Sequence, residues 1–268
     1  RDFHYANAAP PLNRYKQLQH PVNARLPPLL GTLPPAPMEI RAVEPERAAT
    51  AGAVSYQQPL PDGMRPGVLY INTGDLPSRR RWSAPMQFLH EGVPGHHVQL
   101  GLQQELDKLP RFRRLGGDIA FVEGWGLYAE SLGEELGVYR DPYERIGYLQ
   151  AALTRAARMS ADTGVHAQGW SKRQAVDYLV KTADMNAADA TAEVERFMAL
   201  PGQTLANGLG ELKMMELRDK AKAALGARFD ARRFHEEVLR DGSMPLDILD
   251  AKIARWIASQ KGATTPAP

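Results

Sequence analysis

The chain has no cysteine. Disulfides and thiolate-ligated metals are therefore excluded, while the redox compartment stays open, because a disulfide-free protein folds in any of them. It also has no apolar run of the ~20 residues that a membrane span requires. Charge of one sign is barely in excess: a formal net charge of +2 gives no case for nucleic acid as a general partner. The one basic run, Arg79-Arg80-Arg81 beside Trp82, reads as a solvated loop rather than a polyanion site. The start, Arg1-Asp2-Phe3-His4, lacks an initiator methionine, a signal peptide and an apolar h-region. It reads as a processed or excised piece of a longer chain, so targeting information can lie in the missing part.

What is present is ordinary globular material: 43% hydrophobic and 24% charged over 268 residues, enough for one large or two modest domains. Residues 1–37 are Pro-rich, with Pro10-Pro11, Pro27-Pro28 and Pro34-Pro35-Ala36-Pro37, and are expected to be extended, with at most a short helix near 13–20. Three β-like pieces follow, at 38–43, 53–56 and 67–72, the last two separated by the turn Pro61-Asp62-Gly63. From about Ala84 the pattern is helical. A helix starts near Ser83 as N-cap with Pro85 in its first turn. Others are expected at about 98–108, 118–137, 142–164, 171–183, 187–199, 204–225, 230–240 and 245–259, with Ser171 and Asp230 as caps. The tail 260–268 reads as disordered. The expected class is α+β, mainly α-helical with a small antiparallel sheet: a Pro-rich segment at 1–37, then one domain over 38–259.

Three of the seven histidines lie in His90-Glu91-Gly92-Val93-Pro94-Gly95-His96-His97. The common zinc-hydrolase arrangement puts two histidines four residues apart on one helical face, with a glutamate beside the first as general base. Here Pro94 stands four residues after His90. His97, at i+7, returns to the right face but about 10 Å along the axis. That is too far for two ligands at ~2.0–2.1 Å from one ion. Pro94-Gly95 offers a solution: it can end or bulge the helix and act as a two-residue insertion. His96 then takes the second histidine's place, with His97 as the alternative. Glu123, in the apolar setting of Phe121, Val122, Trp125 and Leu127, is the best third ligand, since a carboxylate there needs a compensating cation. Glu130, at i+7 from Glu123, is placed to orient a ligating imidazole. One zinc ion is the expected cofactor.

These segments, together with Arg65-Pro66-Gly67-Val68-Leu69-Tyr70-Ile71-Asn72-Thr73, Arg158-Met159-Ser160-Ala161-Asp162-Thr163-Gly164-Val165-His166, Trp170 and Pro201-Gly202-Gln203, resemble the C-terminal half of a bacterial family known as domain of unknown function 885. That family is similar to the gluzincin metallopeptidases. The resemblance implies a zincin-like fold, Glu91 as general base, and His90, one of His96 and His97, and Glu123 as metal ligands. Because family members are longer, it also implies that an N-terminal helical half is missing or is supplied as a partner chain. A bacterial protein is implied, periplasmic or secreted if a signal peptide was removed and cytoplasmic otherwise. One segment departs from the family pattern: after Gln203 the family carries a tyrosine followed by a basic residue, and here Thr204-Leu205-Ala206-Asn207-Gly208 leaves Asn207 to take the tyrosine's place.

A second ring of polar residues completes the reading. Arg158, Asp162 and His166 line one helical face if the helix runs on past Gly164. Asp162 would fix the His166 imidazole, His166 would support an oxyanion, and Arg158 would hold a carboxylate. Asn72-Thr73, ending the third strand, are candidates for substrate binding at a sheet edge. The expected activity is zinc-dependent hydrolysis of peptide (amide) bonds. The alternative is a catalytically silent module that binds metal and peptide and acts with the missing half or a partner chain.

Overall fold

In a computed structural model, residues 4–5, 9–60, 65–74, 76 and 80–262 are described. The expected turn at Pro61-Asp62-Gly63, Arg79 of the basic run, and tail residues 263–268 lie outside them. The class is α+β and mainly helical. Helix α1 (Ala9–Asn23) leads into β1 (Met38–Ala42), β2 (Val54–Gln57) and β3 (Gly67–Ile71). Then come α2 (Ala84–Glu91), α3 (His96–Gln104), α4 (Arg111–Leu115), α5 (Ile119–Ser131), α6 (Pro142–Ala167), α7 (Lys172–Ala183), α8 (Ala187–Ala199), α9 (Gln203–Leu225), α10 (Ala231–Leu239) and α11 (Leu246–Gly262).

Helix α1 is longer than the short helix expected near 13–20 in an otherwise extended segment: it spans 15 residues, Ala9–Asn23. Pro10 and Pro11 fall in its first turn, where amide donors have no intrahelical acceptor, and Pro21 falls in its last. Tyr15, Leu18 and Val22, at helical spacing, are buried with Leu26, Leu29 and Leu30 in the main core. At the other end, 260–262 continue α11 instead of beginning a disordered tail.

The sheet is mixed rather than antiparallel. Its order is β1-β3-β2, with β1 parallel and β2 antiparallel to β3. Alternation of apolar residues reports which face a strand buries, not the direction of its neighbour. The chain leaves β1, passes through β2 and returns as β3, so β1 and β3 are joined by the longer crossover that parallel pairing needs. β3 is the central strand, and its near-continuous apolar run Val68-Leu69-Tyr70-Ile71 fits burial on both faces.

Several helix starts follow from their caps. Ser171 and Asp230 accept backbone N–H bonds as expected, and Asp118, Asp141 and Asn186 do the same for α5, α6 and α8. Ser83 does not cap α2: a short 3-10 turn precedes the helix and its hydroxyl bonds back to the Arg80 carbonyl. Helix α5 is apolar almost all round, burying Phe121, Trp125 and Tyr128 at the centre of the molecule. It crosses α9 with Gly124 against Gly210, so closely that a Cβ on Gly124 would come within 2.5 Å of the Gly210 backbone. A smaller cluster, including Ala161, Leu179, Val194 and Phe197, packs the second half of α6 against α7 and α8. No helix among the described residues is long and apolar enough to cross a membrane.

Candidate metal centre

The connection between α2 and α3 builds the site. Helix α2 stops at Glu91, residues 92–95 form a turn, and α3 starts at His96. The turn is tied by His97 N–H to the Gly92 carbonyl and by Trp125 Nε1–H to the Pro94 carbonyl. Gly95 must be glycine, because a Cβ there would lie 1.8 Å from the His90 carbonyl oxygen. This fold-back brings the His90 and His96 rings to 4.8 Å between centroids, a contact that a straight helix through 90–96 would not make.

Helix α5 supplies the third group. Glu123 Oε2 lies 3.7 Å from His90 Nε2, and Glu123 Oε1 lies 3.8 Å from His96 Nε2. One donor atom from each of the three residues fits within a 4.8 Å spread. Donors around a tetrahedral zinc are separated by on the order of 3.3 Å at metal–N distances of ~2.0–2.1 Å. The cluster is therefore of the right size and of the N, N, O composition zinc accepts. His90 Nδ1 is bonded to Glu130 at 2.8 Å and His96 Nδ1 to Gln99 Oε1 at 3.2 Å, which leaves each Nε2 facing Glu123. His97 points elsewhere. One helical step rotates the side chain by about 100°, and its Nδ1 meets the Tyr56 hydroxyl of β2 at 2.9 Å.

Charge argues the same way. Burial works against a charged His90, yet its bonds to Glu123 and Glu130 overcome that and raise its pKa to about 10. Burial lowers His96 to about 4, assisted by the neighbouring His90. Burial likewise takes His97 to about 4. Glu123 is lowered, its desolvation outweighed by His90 and His96. The pocket thus draws a positive charge onto His90 while keeping His96 neutral, and a divalent cation on the two Nε2 atoms would answer the demand of Glu123 and Glu130 in the same way. Glu91 is raised to about 7, mainly by burial and next moderated by His90, with a hydrogen bond from the Tyr56 backbone holding it in place.

Behind the candidate ligands stands a group that spacing alone does not single out. Arg155 of α6 pairs with Glu130, Nη2 to Oε2 at 2.8 Å, while Glu130 Oε1 holds His90. Glu130 is 2% exposed, so without Arg155 it would be a buried carboxylate facing only an imidazole. The signal was available: Arg155 shares a face with Arg158 and Asp162 at i, i+3, i+7. Gln99, three residues from His96, was equally within reach of that rule.

The second ring divides. Helix α6 does run past Gly164, and Asp162 Oδ1 bonds His166 Nδ1 at 2.9 Å. Asp162 also accepts from Gly202 N–H and the Thr204 hydroxyl, so this 1% exposed carboxylate pins the start of α9. Arg158 lines a cavity with Glu123, Arg155, Arg196 and Asn207, whereas His166 is not among its lining residues. Asn207 does reach the site, its Nδ2 donating to Glu123 Oε2 at 3.3 Å. The sheet-edge placement expected for Asn72-Thr73 is corrected: they follow β3, the central strand, and the Asn72 side chain is occupied by the Ala48 and Ala51 carbonyls and the Gly74 N–H. The edge strand facing the site is β2, through Tyr56.

The family described as "Bacterial protein of unknown function (DUF885)" matches residues 1–253. Among solved structures, a candidate lipoprotein from Colwellia psychrerythraea is similar at 36% identity and a TM-score of 0.89, over 93% of this chain and 43% of that one. A candidate lipoprotein of unknown function from Shewanella oneidensis shares the fold at 22% identity and a TM-score of 0.81, over 94% of this chain and 47% of that one. The chain thus spans less than half the length of either relative. No curated protein matches it.

Proposed function

We propose, for a chain that belongs to the DUF885 family of bacterial proteins of unknown function, that it is a zinc-dependent hydrolase of peptide (amide) bonds, related to the gluzincins and zincin-like in fold. The observation that carries this reading is the convergence of His90, His96 and Glu123 beside Glu91. His90 and His96 would hold the ion through Nε2 and Glu123 through its carboxylate. A bound zinc supplies Lewis acidity, polarising a carbonyl and acidifying water.

The remaining chemistry falls to side chains of this chain. Glu91, with a pKa near 7, is in balance between its two forms at neutral pH, as a general base and then acid must be. It takes the proton from the attacking water and returns it to the amide nitrogen as the C–N bond breaks. Glu130 and Arg155 keep the His90 ring fixed during that exchange. Asn207 holds the Glu123 carboxylate, and Arg158 faces the same cavity as a substrate-binding cation. An added substrate strand would pair with β2, beside Glu91. By analogy with the candidate lipoproteins, the site of action is a bacterial cell envelope.

The test is Glu91→Gln. The variant retains zinc with the wild-type affinity and loses hydrolysis of a mixed peptide library by on the order of 100-fold or more. Wild-type turnover in the variant removes Glu91 as the base. Zinc binding without turnover in either protein leaves the silent metal- and peptide-binding module as the reading.

A further inference from the structure

The cavity beside Glu123 has features that the hydrolytic reading alone does not require. Its volume is about 230 Å³, below the ~300 Å³ at which sites for drug-sized ligands begin, and so suited to a residue or two. Three arginines line it, Arg155, Arg158 and Arg196. Arg155 is matched by Glu130. Arg158 and Arg196 share one carboxylate, Glu193, with Arg158 on Oε1 and Arg196 on Oε2, each at 2.8 Å. Two cations thus share one anion there, Arg196 also donates to Gln203 Oε1, and Glu123 is the carboxylate that itself lines the cavity.

Hydrogen bonding points the same way. The buried Nε atoms of Arg155 and Arg158 have no partner, and both residues line this cavity. Each guanidinium offers five N–H donors in a planar fork that a carboxylate matches with two oxygens. An apolar ligand would leave those donors buried and unmatched. Distance along the chain is also suitable. Arg155, next to the ligand cluster, and Arg158 are three residues apart on α6, about 4.5 Å along its axis, while an extended peptide advances ~3.3–3.6 Å per residue.

We infer that this cavity is a carboxylate subsite, binding a substrate carboxylate one or two residues to the C-terminal side of the scissile bond through Arg158 and Arg196. When that group is the peptide's own α-carboxylate, the protein is a C-terminal exopeptidase. The inference rests on the hydrolase reading for the position of the bond, and on the cavity alone for the carboxylate.

Binding of three probes to the full chain tests it by calorimetry, in the Glu91→Gln background so that nothing is turned over. The probes are N-acetyl-Ala-Ala as free acid, its C-terminal amide, and N-acetyl-Ala-Glu amide. The free acid is expected to bind at least about tenfold more tightly than the plain amide. Arg158→Ala removes most of that preference. Arg158→Lys, which keeps a charge beside Glu193 but not the planar fork, removes part of it and covers the case in which the alanine variant does not fold. Tight binding of the Glu amide as well assigns the carboxylate to an acidic side chain, and tight binding of the acid alone assigns it to the C-terminus. Equal affinity for all three probes, or a preference unmoved by both Arg158 variants, overturns the inference. Acid preference without any wild-type hydrolysis would instead defeat the hydrolase reading and leave the subsite standing.

Discussion

At the residue scale the site is a chain of pairings leading inward from α6: Arg155 to Glu130, Glu130 to His90, and His90 to Glu123. Its first member is the most informative to remove. Arg155→Met keeps the aliphatic bulk and deletes the charge, so the buried Glu130 carboxylate loses its cation and no longer fixes the ring. Zinc affinity, measured by competition with a chromogenic chelator, should fall ~10- to 100-fold, as for other losses behind metal-bound histidines. Wild-type affinity in that variant would show that Glu130 needs no partner. The histidine cluster, Glu123 and Glu130 were legible from residue type and spacing, because ligand chemistry restricts the choice to few side chains. Arg155 and Gln99 were within reach of helical periodicity. Asn207 stands out in the sequence only as a departure from the family pattern, and its bond to Glu123 depends on the α5–α9 crossing, which no local signal encodes.

At the element scale, the sequence identified most helices and all three strands to within a few residues, since caps, glycine stops and apolar periods are local. What it did not encode was pairing. The parallel β1–β3 contact and the central place of β3 decide that Asn72 is enclosed and that the strand facing the site is β2. Helix α1 is longer than its prolines suggest, because Pro10 and Pro11 sit in the first turn, where a missing amide donor costs no hydrogen bond, and Pro21 comes only in the last turn. Pro94-Gly95 marks the break between α2 and α3. Helix α2 ends at Glu91 and α3 begins at His96, and the Gly95 contact with the His90 carbonyl sets how tightly the chain folds back.

At the scale of the whole molecule, the N-terminal segment, α5 and α10 meet at His235. This fully buried ring bonds the Leu29 carbonyl through Nδ1 and the Tyr128 hydroxyl through Nε2. Burial lowers its pKa from 6.5 to about 4. Above pH 6.5 both folded and unfolded states hold it neutral. Between about 6.5 and about 4 only the unfolded state takes up the proton, so stability falls as pH falls, and below about 4 this contribution stops changing. From pH 7 to pH 5 the loss from this residue amounts to about 2 kcal/mol. Urea unfolding of metal-free protein at the two pH values should show it, and His235→Gln should make the dependence shallower by that amount. An unchanged dependence would mean that His235 is protonated in the folded state. His96 and His97, also lowered by burial, add to the total but not to the difference between the two proteins.

The same assembly brings α2, α3 and α5 to one point, where His90, His96 and Glu123 would hold a single divalent ion. Zinc stoichiometry after dialysis at neutral pH, measured on the wild type, His96→Ala and His97→Ala, tests it most directly. One zinc per chain is expected in the wild type, near-complete loss in His96→Ala, and retention in His97→Ala. Equal retention in the two variants, or no bound zinc in the wild type, would contradict it.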